Sequence, residues 1–80
     1  MFPSEKRERR VEKFFEQVVK HPKTTLEEAE VIGSLLADAF QPIFPWMKGE
    51  ERRSKLSERS YARRRLKEIA AERGFPPPPF

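Results

Sequence analysis

The chain has no cysteine, which excludes disulfides and thiolate-bound metal and leaves its redox compartment open. Its one histidine, His21, stands in no cluster of carboxylates at ligand spacing. No metal site is therefore expected. Only three glycines are present, and none forms a glycine-rich phosphate loop. No apolar run approaches the ~20 residues that span a bilayer, and Met1–Arg7 lacks the apolar core of a signal peptide. Alternation long enough for a strand is also missing. These absences lead to the expectation of a cytoplasmic all-α protein, most naturally prokaryotic or from a phage, without membrane partners.

Catalysis has as little support. No Ser, His and Asp occur at a recognisable spacing. Glu27, Glu28, Glu30 and Asp38 read as helix-start acids, favoured by the macrodipole, plus a solvated strip. No catalytic residue, cofactor or metal ligand is expected, and the chain is read as a non-enzyme.

Charge is plentiful and segregated. Of 80 residues, 38% are charged, for a net +4. Residues 1–25 carry seven basic and four acidic groups, residues 26–47 four acidic and no basic, and residues 48–80 ten basic and five acidic. A basic–acidic–basic order favours packing the outer segments around the middle one. At this length only about 60–65% of the extended surface is buried on folding, so a partner or second copy would add useful burial.

Three helices are expected, at about 5–20, 25–41 and 51–73. Together with the connector they make one domain over residues 1–75. In the first, Ser4 follows Pro3 as N-cap, and Val11, Phe14, Phe15, Val18 and Val19 share one face. That stripe suits an interfacial membrane helix, but a bundle core requires it equally. Pro22 ends the helix. In the second, Thr25 to Glu28 fits a capping box. Its polar strip is narrow (Glu27, Glu30, Ser34, Asp38), so it should touch more than one neighbour. The small-residue track Ala29, Gly33, Ala37 allows close approach of another helix, either within the fold or across a homodimer seam.

The third helix gathers Leu56, Ala62, Leu66, Ile69 and Ala70 on one side, and Gly74 suits its left-handed C-cap. The expected core is Val11, Phe14, Phe15, Val18, Leu26, Ile32, Leu36, Phe40, Leu66 and Ile69. Residues 76–80 should form an extended polyproline tail.

Two binding surfaces emerge. Phe44, Trp46 and Met47 lie in a proline-rich connector, where they either plug the bundle end or anchor a partner; Phe80 ends the tail. Arg52, Arg53, Ser60, Arg63, Arg64 and Lys67 could follow a phosphate backbone, with Arg7, Arg9 and Arg10 as a second patch. A connector of about ten residues with two prolines is too long for a helix-turn-helix. The expected function is a small binding protein, an accessory subunit or regulator docking on a larger protein or nucleoprotein complex. The alternative is nucleic-acid binding through the basic flank of the third helix and the basic N-terminus.

Overall fold

A computed structural model describes the backbone of residues 3–80 and the side chains from Glu8 onward. It contains three helices, α1 (Pro3–Lys20), α2 (Leu26–Ala39) and α3 (Gly49–Arg73), and no strand among the described residues. The all-α reading holds, with boundaries shifted by about two residues. Helix α1 begins at Pro3 rather than Glu5, and proline suits a first turn because its missing N–H has no partner to lose there. The Ser4 hydroxyl and the Arg7 side chain lie outside the described residues.

The punctuation follows the local chemistry. Thr25 Oγ1 accepts the Glu28 N–H at 3.1 Å and caps α2. The other half of the expected capping box is replaced, because the Glu28 carboxylate receives Arg73 from α3 at 2.7 and 3.0 Å. A cationic fork is a stronger donor than a neutral amide. At the end of α3, Gly74 adopts φ 71°. The Phe75 N–H then bonds back to the Ala70 carbonyl at 2.9 Å, and its ring turns into the core.

Helix α2 is the middle element. It packs against both neighbours, and no Cα of α1 comes within 8 Å of one in α3 among the described residues. The molecule measures 43 × 31 × 19 Å, and its middle dimension is that of three helices side by side at about 10 Å spacing. Phe14 and Val18 of α1, Ile32 and Leu36 of α2, and Leu66 of α3 supply the larger core side chains.

The α2–α3 seam is built of alanine. Ala39 and Ala62 are fully buried and Ala70 nearly so, so the close approach uses small residues other than the expected track. That track divides: Ala29 is buried, Gly33 lies under the Phe15 ring, and Ala37 is exposed. Leu26 also departs from expectation, at 77% exposed. At about 100° per residue it sits about 120° around α2 from Ile32, off the buried arc.

The space between α1 and α3 is closed by the C-terminal segment. Phe75 is buried and sets its ring edge-on to His21, 5.1 Å between centroids. Pro76, Pro77 and Pro79 adjoin Phe14 and Gln17 of α1. Phe80 returns to α2, with its ring 5.7 Å from that of Phe40. These residues pack onto the helical domain instead of reaching away from it.

Candidate functional site

The connector after α2 is fixed at its start. Gln41 Nε2 donates to the Lys55 carbonyl at 3.3 Å and to Glu58 Oε2 at 3.0 Å, tying the chain to α3. Arg63 Nε donates to the Ala39 carbonyl at 3.0 Å, satisfying an orphan acceptor at the α2 C-terminus, where positive charge also suits the macrodipole. A turn then closes with the Met47 N–H on the Phe44 carbonyl at 3.1 Å.

The connector's apolar residues divide by exposure. Met47 is buried and Ile43 half-buried, and neither joins the core cluster of the three helices. Phe44 and Trp46 turn outward. Their rings stack at 4.4 Å between centroids and 6° between planes. Trp46 remains 69% exposed and Phe44 38%. The stack orders two large rings on the surface without burying them, a state that costs apolar hydration until something covers it.

The residues grouped as anchors are therefore not together. Phe44 and Trp46 form one surface, Met47 is buried apart from the core cluster, and Phe80 is half-buried on Phe40 with the Arg63 guanidinium 5.5 Å and the Lys67 ammonium 5.7 Å from its ring centre.

The cationic set divides similarly. Arg63 is a structural side chain, half-buried between the α2 carbonyl end and the Phe40 and Phe80 rings. Arg52, Arg53, Ser60, Arg64 and Lys67 are exposed. Arg52, Arg53 and Arg64 make no ion pair among the described residues. Arg53, Ser57, Ser60 and Arg64 follow one line along the outer side of α3, spanning about 16 Å at 1.5 Å per residue.

A third surface escaped the reading from sequence. Between α1 and α2 lies an open groove of about 740 Å³, floored by Val11, Phe15, Gly33, Leu36, Ala37 and Phe40. Glu8 and Glu12 stand along its α1 edge. The signal was present as Glu8, Glu12 and Glu16, spaced four apart beside the Val11–Phe15 stripe. It was submerged in the charged start of the helix.

Among the described residues no three His, Asp or Glu side chains gather as a metal site, and no helix is long and apolar enough to cross a membrane. No family model, no curated protein and no solved structure matches the chain.

Proposed function

We propose that this protein is a non-enzymatic docking factor, an accessory subunit or regulator, whose primary contact is the Phe44–Trp46 pair. The supporting observation is the stack itself. A tryptophan 69% exposed is held flat against a phenylalanine, in a connector whose start is tied to α3 through Gln41. Preordered aromatic side chains lose little conformational entropy on binding and are enriched among residues that dominate interface energies.

A second reading, nucleic-acid binding, is favoured by the line Arg53–Ser57–Ser60–Arg64 with Arg52 and Lys67 beside it. Such a ridge suits phosphates and would give affinity that falls steeply with salt. It takes second place because Arg63, one of the expected contacts, is committed to the fold.

Affinity capture from nuclease-treated extract of the source cells, compared across two variants, distinguishes them. Docking predicts that Phe44→Ala with Trp46→Ala abolishes capture of a discrete protein, while Arg53→Glu with Arg64→Glu leaves it intact. The reverse pattern, or capture that nuclease removes, overturns the docking reading.

A further inference from the structure

We infer that the α1–α2 groove receives an amphipathic helix with a cationic flank, supplied by a partner protein. The inference rests on the docking reading but on different residues. Helices α1 and α2 meet along only part of their length, and α3 and the C-terminal segment cover other sides of this pair. The uncovered face carries Val11 and Phe15 on α1 and Gly33, Ala37 and Phe40 on or beside α2.

Two otherwise unexplained residues extend this face. Val19 lies four positions beyond Phe15, and Leu26 lies seven before Gly33, which places each on the groove side of its helix. They are 52% and 77% exposed. One apolar strip thus runs the length of the hairpin, which is the shape that receives a helix rather than a small molecule.

The charges along the strip choose the occupant. On α1 its edge is Glu8 and Glu12; Glu16, one turn later, is already paired with Lys20. On α2 the lining runs from Gly33 and Ala37 to Phe40, Gln41 and Pro42, and this helix contains no basic residue. The apolar floor is therefore bordered by carboxylates along α1 and by no cation along α2. A second copy docking face to face would set this patch against itself, carboxylate against carboxylate. A helix with Lys or Arg flanking its apolar stripe satisfies the Glu8–Glu12 edge and gains electrostatic steering.

The test uses the full chain and two labelled peptides of about 14 residues, roughly 21 Å as helix. One carries leucine on one face and lysine on its flanks; the other replaces lysine by glutamate. The lysine peptide is expected to bind at least about tenfold more tightly, with that preference lost in Glu8→Lys with Glu12→Lys. Backbone amide shifts should move in residues 8–19 and 26–42. Ala37→Arg, an exposed site on the groove floor, should also block binding, and it replaces the double variant if that one fails to fold. Equal binding of both peptides, insensitivity to both variants, or shifts centred on Phe44 and Trp46 overturns the inference. So does a dimer in sedimentation whose interface maps to the groove. If these failures occur while capture still depends on Trp46, the groove inference falls and the docking reading stands.

Discussion

Arg73 grips Glu28 with two guanidinium nitrogens, at 2.7 and 3.0 Å, and joins the last turn of α3 to the first turn of α2. The same Nη2 also donates to the Lys23 carbonyl at 3.0 Å. One side chain thus ties α3, α2 and the loop after α1 together. Arg73→Lys keeps the charge but not the fork, and Arg73→Ala removes both. Each should lower stability by about 1–2 kcal/mol, the alanine variant more. Urea denaturation followed by circular dichroism measures this, and an unchanged midpoint would show that the bridge is idle.

The C-terminal segment should behave as part of the core. Phe75→Ala removes a buried ring and should cost about 3–5 kcal/mol. Ending the chain at Phe75 uncovers Phe40 and the Phe14 side of α1, and should lower the melting temperature by several degrees, at about 4–8 °C per kcal/mol for a domain of this size. A thermal scan of the truncated protein that overlays the full chain would refute the packed arrangement.

Gly33 marks an unused gain. A methyl group there would meet the Phe15 ring at 3.6 Å, an ordinary contact, and the site is inside a helix. Gly33→Ala should therefore stabilise the fold by about 0.5–1 kcal/mol. A loss of stability would mean that α1 and α2 lie closer than this separation.

Charge and exposure separate Trp46 and Arg64 from Arg63. Trp46→Ala and Arg64→Glu, both on exposed side chains, should each change stability by no more than about 0.5 kcal/mol. Arg63→Ala should cost about 1–2 kcal/mol, because it strips the Ala39 carbonyl and the two rings of their cation. The ordering, measured by chemical denaturation, is the prediction.

Acid should weaken the end of α1. The Lys20 ammonium, hydrogen-bonded to Glu16 at 2.8 Å, holds that carboxyl below its ordinary value. A depressed carboxylate contributes helix stability above its unfolded value and loses it as pH falls through the folded one. Side-chain carbon titration by NMR should place Glu16 lower than in Lys20→Ala, and identical curves would contradict the pairing.

Much of the helical framework could be read from sequence because its signals are local. Pro22, Pro42 and Gly74 each act through their own backbone and Thr25 through a hydroxyl that reaches three residues on, and the Phe14–Val18 and Ile32–Leu36 stripes repeat at helical period. What the wheel cannot say is which neighbour fills a stripe. Leu26 lies at the edge of its arc and stayed outside, whereas alanines 39, 62 and 70, apolar but unremarkable in sequence, made the seam. The destination of Phe80 depended on Phe40 and Arg63, forty and seventeen positions away. The groove was invisible for the same reason, since it is a property of two helices meeting and of a third element lying elsewhere.

The most direct measurement is photo-crosslinking from position 48 in the source cells, with p-benzoylphenylalanine in place of the exposed Lys48 beside the intact Phe44–Trp46 pair. Docking through the aromatic pair predicts a discrete protein adduct that survives nuclease and disappears when Phe44→Ala removes the stacking partner. Adducts to nucleic acid alone, or none at all with the protein folded, would contradict it.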